Sequence, residues 1–161
     1  MSKEPADAEQ LPLPRMLTHE LLDLSSAIDL IGQAAASTLG INQTDLICLN
    51  LLVRSGPMSP GRIAAALGLT TAAISAMAKR LEAGGFAHRE IDPDDRRRVL
   101  LHASPAGARQ AFGMFDGLYQ ASVELCADYP ERDLRTLADL LARYREIITA
   151  HTAALRDQQR P

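Results

Sequence analysis

The sequence has only two cysteines, Cys48 and Cys126, and they form no CxxC pair. Both lie among leucines and alanines, so we predict that each is a small core residue. The same surroundings offer a thiol neither cations nor a resolving partner, which argues against redox sensing. We therefore expect no disulfide framework, no metal site and no cofactor.

Long apolar runs and the motifs of common enzymes are missing as well. No run is long enough to cross a bilayer, and acidic residues and prolines stand where a signal peptide would be basic and then apolar, so we expect a cytoplasmic protein without a membrane partner. GxSxG, HExxH and a glycine-rich phosphate loop are absent. The segment DPDDRRR is no EF-hand, because Arg97 stands at the required glycine and Ala103 at the final glutamate. The sequence thus predicts a protein that is not an enzyme.

What the sequence has is enough apolar material for one domain and an uneven distribution of charge. The 161 residues are 47% apolar, which suffices for a real core. The net charge is −3, yet residues 59–103 carry seven basic residues against five acidic ones. Because the distribution matters more than the sum, the acidic total does not exclude a nucleic-acid partner.

The N-terminal part is predicted to contain an arm and two helices. Residues 1–15 hold prolines among charged and small residues, a composition typical of a mobile arm. From Leu17 to Leu39 apolar residues recur at steps of three and four, which predicts a first helix with one buried stripe. Asn42 or Thr44 is placed to cap a second helix, which ends before the break at Ser55–Pro57.

The next segment has the sequence form of a helix-turn-helix. Ser59 is placed to cap a third helix, and Gly68 provides a tight turn after it. Thr70 or Thr71 then caps a fourth helix, which the Gly84–Gly85 pair ends. Two helices joined by a short glycine-containing turn are typical of this motif. The predicted inner face of the fourth helix is Ile74, Met77, Ala78 and Leu81.

A hairpin and two long helices are predicted to follow. Phe86–Ile91 and Val99–His102 have the pattern of short strands, and the Asp-Pro and Asp-Asp pairs between them favour a turn. One helix is expected from Ser104 to about Asp128, and a last one from about Glu131 to Arg156. The last helix carries a heptad seam, which requires a partner helix. Its members are Leu134, Leu137, Leu141, Tyr144, Ile148, His151 and Leu155.

The outer face of the fourth helix is a candidate reader of DNA. Thr71, Ser75 and Lys79 follow one another at steps of four, with Ala72 and Ala76 beside them. Hydroxyls can bond base edges or phosphates, alanine methyls can contact thymine, and a lysine can neutralise a phosphate. An ordinary solvated helix face has the same composition, so this pattern alone leaves both interpretations open.

The tip of the hairpin is more specific. Arg96, Arg97 and Arg98 repel one another and bury nothing, whereas a guanidinium fits the negative potential of a narrow minor groove. Asp95 is placed to hold one arginine side chain extended by an ion pair. The alternative is a solvated charge cluster. The order of helix, turn, helix and basic hairpin favours DNA binding.

These residues resemble the MarR-type winged-helix transcriptional regulators. The resemblance lies in LGLTTAAISAMAKRLEAGGFAHREIDPDDRRRVLLHASPAG, from Leu67 to Gly107, and the helix order extends it over about residues 17–156. It implies a mainly α fold with a small β-hairpin wing, in which a winged helix-turn-helix domain is joined to N- and C-terminal dimerisation helices. It also implies that Asp95 and Arg97 form the family's Asp-x-Arg of the wing. That arginine enters the minor groove while the recognition helix enters the major groove.

The resemblance also implies a division of the chain and a set of partners. The DNA-binding lobe would be 42–103, the dimerisation helices 16–41 and 104–156, and the C-terminal tail 157–161. The expected protein is a homodimer that binds double-stranded DNA at a pseudopalindromic operator, usually as a repressor. The recognition-helix residues implied are Thr70, Thr71, Ala72, Ser75, Ala76, Lys79 and Arg80.

The resemblance leaves two features of this chain open, namely its sequence preference and its effector. Family members often carry an arginine where Ala76 stands, so sequence preference is expected to depend more on Lys79, Arg80, DNA shape and the wing. Such regulators often bind a small aromatic or phenolic effector, for which His19 and Asp23 fit either a ligand contact or a solvent-facing or interface role. The alternative function is a winged-helix protein-interaction module without specific DNA binding.

Overall fold

A computed structural model describes residues 12–158 of the chain. Within that range it contains helices and one two-stranded antiparallel sheet, which confirms the predicted mainly helical fold with a β-hairpin. The described chain forms two compact units that divide after Ile47. The elements are α1 (Leu13–Leu39), α2 (Gln43–Ser55), α3 (Pro60–Leu67), α4 (Thr71–Ala83), β1 (Ala87–Ile91), β2 (Val99–Ala103), α5 (Pro105–Gly113), α6 (Asp116–Ala127) and α7 (Glu131–Asp157).

The first helix begins earlier than its apolar spacing predicts. α1 starts at Leu13, with Pro14 in its first turn, where a missing N–H costs little. Residues 13–15 are therefore helical rather than part of an arm, and the remainder of the predicted arm, residues 1–11, lies outside the described residues. The helix ends as predicted at Gly40, whose φ of 68° is left-handed and favours glycine.

The stripe that predicts a buried face on α1 is mostly exposed in the single chain. Leu24 is 52% exposed and Ile28 is 58% exposed, whereas Ala35 is buried. The spacing correctly predicts one apolar face, but the single chain by itself leaves most of that face exposed. Exposed apolar side chains at regular helical spacing are typical of an interface with another protein.

The helix-turn-helix forms where the capping residues predict it. The Ser59 hydroxyl accepts a hydrogen bond from the Arg62 N–H at 3.5 Å, and Gly68 turns the chain with a φ of 67°. Thr70 rather than Thr71 caps α4. Among the described helices none is by itself both long and apolar enough to cross a membrane. The pair α3 and α4 reaches that length and composition only together and is bent by 108°.

The core of the second unit lies between the helix-turn-helix and the hairpin. α4 packs against α3 and β1, and α3 also contacts β2. Met58 extends the sheet, because its N–H and C=O both bond to Leu101, at 3.1 and 2.9 Å. The fully buried side chains of the second unit include Cys48, Leu49, Ile63, Ile74, Leu81 and Leu101.

The long helix predicted from Ser104 to about Asp128 is two helices. α5 ends at Gly113 and α6 begins at Asp116, because Gly113 weakens the helix and Phe115 takes a turn conformation with ψ near −1°. α7 extends one residue beyond its predicted end, so the predicted C-terminal tail begins at Gln158, and residues 159–161 lie outside the described range.

The two cysteines have different environments. Cys48 is fully buried, as predicted, and lies in α2. Cys126 is exposed near the end of α6, so the prediction that it is a core residue is wrong for the single chain. Its leucine and alanine neighbours in sequence lie on a helix with no buried residue, which is why local composition misplaces it.

Candidate nucleic-acid interface

α4 has one buried and one exposed face. The predicted inner residues are all buried, and Ile74 and Leu81 are completely inaccessible to solvent. The predicted outer residues all lie on the opposite, exposed face, with short side chains in the first half and two cations in the second. These outer residues are Thr71, Ala72, Ser75, Ala76, Lys79 and Arg80.

Two hydroxyls at the start of α4 are already engaged with the backbone. Thr70 Oγ1 accepts a hydrogen bond from the Ala73 N–H at 3.2 Å, which stabilises the first turn. Ser75 donates its hydroxyl hydrogen to the Thr71 carbonyl at 2.9 Å. Ser75 therefore presents its oxygen as an acceptor unless the hydroxyl rotates, while the first turn contains no acidic side chain to repel a phosphate.

The wing tip is a loop closed by its own backbone. The Asp92 N–H bonds to the Arg98 carbonyl at 3.0 Å, and the Arg98 N–H bonds to the Asp95 carbonyl at 2.8 Å. The Asp92 carboxylate also accepts the Asp94 N–H at 3.0 Å, which is an Asx turn. These bonds give a seven-residue polar tip a definite shape without burying it.

Asp95 holds two arginines of the tip. Its Oδ1 accepts hydrogen bonds from the Arg97 N–H at 3.1 Å and from Arg97 Nε at 3.3 Å, and its Oδ2 lies 3.2 Å from Arg98 Nε. The side chains of Arg97 and Arg98 remain 92% and 67% exposed. Because the contacts use Nε, the terminal amino groups of each guanidinium stay available to donate to a phosphate or a groove edge.

Arg96 lacks that support. Within the described part of the chain it makes no ion pair and no side-chain hydrogen bond, and it is exposed. The prediction that Asp95 extends one arginine therefore understates the geometry, because one carboxylate serves two arginines and leaves the third without an ion-pair partner.

The base of the wing is tied to α4 and to α5. Arg89 Nη1 lies 2.8 Å from Glu82 Oε2, so an ion pair joins β1 to the end of α4. Ser104 caps α5 by accepting the Gly107 N–H at 2.9 Å and donates to the Gly85 carbonyl. A Cβ at Gly107 would lie 2.5 Å from the Phe86 Cα, so this glycine is required by close backbone packing. These contacts position the arginine tip relative to the outer face of α4.

The candidate effector residues lie elsewhere. His19 and Asp23 are exposed on α1, in the first compact unit. Sequence reasoning missed a cluster on the hairpin, where His88, Glu90 and His102 come together. The alternation of His88 and Glu90 on one strand was a signal, but only the strand register brings His102 to them.

Comparison with known proteins identifies the family of the chain. A family model described as the MarR family matches residues 39–98. An uncharacterized HTH-type transcriptional regulator of Bacillus subtilis, YcgE, is 34% identical over 119 residues, which are 74% of this chain and 77% of that protein. A second such regulator from the same organism, YdgJ, is 27% identical over 80% of this chain and 78% of its own length.

Solved structures show the same fold. A MarR family protein from Bacillus stearothermophilus superposes with a TM-score of 0.66 at 14% identity, covering 84% of this chain and 94% of that one. A transcriptional regulator from Thermotoga maritima gives a TM-score of 0.61 at 20% identity over 86% and 98% of the two chains.

The fold and these matches together define a winged helix-turn-helix protein of the DNA-binding class. More specifically, the chain belongs to the MarR family, and it is a transcriptional regulator rather than an enzyme.

Proposed function

We propose that this regulator acts in the cytoplasm as a homodimer that binds a pseudopalindromic operator in double-stranded DNA. The observation that carries the proposal is the pairing of two exposed surfaces on one compact unit: the outer face of α4 and the arginines held by Asp95. The ion pair between Arg89 and Glu82 supports a defined spacing between them. α4 would enter the major groove while the wing reaches the adjacent minor groove.

The composition of α4 favours close approach over strong base selection. Ala72 and Ala76 add no bulk, and an alanine methyl offers only apolar contact with a thymine methyl. Lys79 supplies charge without a fixed hydrogen-bond geometry. Sequence preference therefore depends on DNA shape and the wing more than on bidentate contacts in the major groove.

The exposed seam of α7 supports a homodimer. Leu137 is 45% exposed, Ile148 is 48% exposed and Leu155 is 47% exposed, at positions that a partner helix would cover. The apolar stripe of α1 is similarly uncovered. A twofold dimer would present two α4 helices to half-sites about one helical turn apart, roughly 10 base pairs.

Regulation is proposed to act on the dimer. In one state of the dimer the recognition helices would be wrongly spaced for the operator. A small aromatic or phenolic effector that binds this state more tightly would lower operator affinity, by a factor set by its difference in affinity between the two states. His19 and Asp23 remain weak candidates for contacts to it. We propose repression as the direction of regulation. A dimer bound at the operator would block the polymerase until the effector releases the dimer from the DNA.

The wing is tested by Arg97→Ala in a mobility-shift titration on the DNA upstream of the protein's own gene, repeated over a salt series. Affinity is expected to fall about tenfold and the salt slope to flatten by about one, because one phosphate-lined groove contact is lost. Arg132→Ala, which removes an equal charge at the start of α7, is the control and should leave both quantities unchanged. Unchanged affinity for Arg97→Ala would overturn the wing assignment.

The recognition helix is tested with the same assay. Lys79→Ala should weaken binding to every sequence, whereas Ser75→Ala should change the preference among operator variants. If Lys79→Ala does not weaken binding and Ser75→Ala does not change the preference among operators, α4 is not the helix that recognises the DNA. Absence of DNA binding by the unaltered protein at low salt would support a protein-interaction module instead.

A further inference from the structure

The outer face of the wing hairpin carries three side chains with metal-binding chemistry. β1 and β2 pair so that His88 stands opposite His102 and Glu90 opposite Leu100. Because strand residues alternate between faces, His88, Glu90 and His102 share one face, while Leu101 is buried on the other. The register, rather than proximity in sequence, brings the cluster together.

The three side chains converge through their polar atoms. His88 Nε2 lies 3.1 Å from Glu90 Oε1, and His102 Nε2 lies 3.6 Å from Glu90 Oε2. The imidazole rings are stacked with centroids 5.2 Å apart. One ligand atom from each residue can be chosen so that all three lie within 4.8 Å of one another.

These separations are compatible with a tetrahedral ion. Bonds of about 2.0–2.2 Å from zinc to nitrogen and oxygen place neighbouring ligand atoms about 3.3 Å apart. Ligand atoms now up to 4.8 Å apart must therefore move closer, and one of the two stacked rings must rotate so that its nitrogen points at the ion. Two imidazoles and one carboxylate form a donor set that suits zinc and similar transition metals rather than calcium or magnesium. The side chains are partly accessible, from 23% for His102 to 57% for Glu90, so an ion can reach them.

We propose that His88, Glu90 and His102 bind a divalent transition metal ion of the zinc class, with water in the fourth position. The ion would join β1 to β2 at the base of the wing and add positive charge to the hairpin that carries the Asp95–Arg98 tip. The ligands are a cross-strand histidine pair and a carboxylate, and no cysteine is among them. The site does not depend on DNA binding.

The test is direct metal binding by the full-length protein without an affinity tag. Zn²⁺ is titrated in competition with a chromophoric chelator, and Co²⁺ is used separately as a spectroscopic probe of tetrahedral coordination. One ion per chain is expected, with visible Co²⁺ absorption and a raised thermal midpoint when Zn²⁺ is present.

Variants assign the binding to the cluster. His88→Gln and His102→Gln should each weaken Zn²⁺ binding at least about 100-fold, since loss of a ligand exceeds the effect of losing an outer partner. Glu90→Gln should weaken it as well, because a neutral amide is a poorer ligand. His151→Gln and His19→Gln remove exposed histidines of α7 and α1, away from the hairpin, and should retain the Zn²⁺ affinity of the unaltered protein.

Two results would overturn the proposal. One is absence of stoichiometric Zn²⁺ binding by the unaltered protein, which would make the cluster an ion-paired histidine stack only. The other is unchanged affinity in the double variant His88→Gln/His102→Gln, with the circular dichroism spectrum of the unaltered protein confirming that it folds. Operator affinity measured on the same samples keeps this outcome separate from the DNA-binding proposal.

Discussion

α4 and α7 both carry an apolar stripe at helical spacing, but the single chain buries only one of them. In α4 the stripe consists of Ile74, Met77, Ala78 and Leu81, each at most 2% exposed. In α7 none of the residues from 131 to 156 is buried, and Leu141 at the middle of its seam is 40% exposed. The same periodicity therefore has two structural outcomes.

The difference shows which apolar surfaces are covered by other elements of the same chain. α4 is covered by α3 and β1, so its outer face is left for another function. α7 has the length and seam of a coiled-coil strand, and covering that seam requires a second helix. If this difference between α4 and α7 is correct, variants in the seam of α7 should weaken the dimer. Variants in the second compact unit should instead change its stability or its affinity for DNA.

The largest effect is expected from the double variant Leu137→Glu/Leu141→Glu. Two carboxylates in an apolar seam cost at least about 3 kcal/mol, so the dissociation constant of the dimer should rise by about 100-fold or more. Sedimentation over a concentration series measures the dimer, and operator affinity should fall with it.

Ala150→Glu is the matched control for the seam. It adds the same charge to an exposed position of α7 outside the seam, so the dimer should persist. A double seam variant that dimerises like the unaltered protein would show that α7 needs no partner helix.

The second largest effect is expected from Gly107→Ala, which tests how tightly the second compact unit is packed at the base of the wing. The new methyl group would meet Phe86 Cα and the Gly85 carbonyl, at 2.5 and 3.0 Å. The free energy of unfolding should fall by about 2 kcal/mol, measured by urea denaturation.

Gly117→Ala provides the contrast. Nothing lies within 4 Å of its added Cβ in α6, so helix propensity should raise the free energy of unfolding by up to about 1 kcal/mol. Equal effects of the two substitutions would contradict the close packing of Gly107.

A smaller effect is expected from Asp95→Ala. Simple charge counting predicts tighter DNA binding, since an acid is removed. The ion pairs predict the opposite, because Arg97 and Arg98 lose the contacts that order them, worth about 1 kcal/mol together or about fivefold in affinity.

Asp94→Ala removes the neighbouring acid, whose carboxylate forms an ion pair with none of the three arginines of the tip. Its operator affinity should rise by about twofold. Fluorescence anisotropy with labelled operator DNA measures both variants, and an increase for Asp95→Ala would show that the ion pairs do not position the tip.

The smallest effect concerns a link between α7 and α3, the helix that packs against α4. Arg156 Nη2 of α7 donates to the Leu67 carbonyl at the end of α3, at 2.9 Å. Arg156→Ala should lower the free energy of unfolding by less than about 1 kcal/mol, because the bond is exposed. Arg143→Ala, which breaks only a surface pair with Asp139, should cost about half as much or less. A larger loss for Arg143→Ala than for Arg156→Ala would argue against the link.

Local signals predicted much of the fold. Ser59, Thr70 and Ser104 each cap the helix that their sequence positions indicate, because capping depends on a few neighbouring backbone groups. The break between α5 and α6 and the start of α1 were mispredicted, since helix ends depend on small free-energy differences that composition describes poorly.

The candidate site was predicted in parts. The arginine tip and the outer face of α4 follow from the order of elements and from spacing. The double ion pair of Asp95 does not, because it depends on how seven loop residues fold back on one another. Cys126 was placed in the core because neighbours in sequence do not reveal which helix face is covered.

The sequence by itself determined the helix caps, the inner face of α4, the position of the hairpin and the basic tip, since each depends on contacts between residues close along the chain. Only the tertiary structure decided which apolar stripe is covered, that Asp95 serves two arginines, and that His102 joins His88 and Glu90. The physical reason is the same in each case: burial and cross-strand contact depend on segments that pack or pair in space, and spacing along the chain does not encode them.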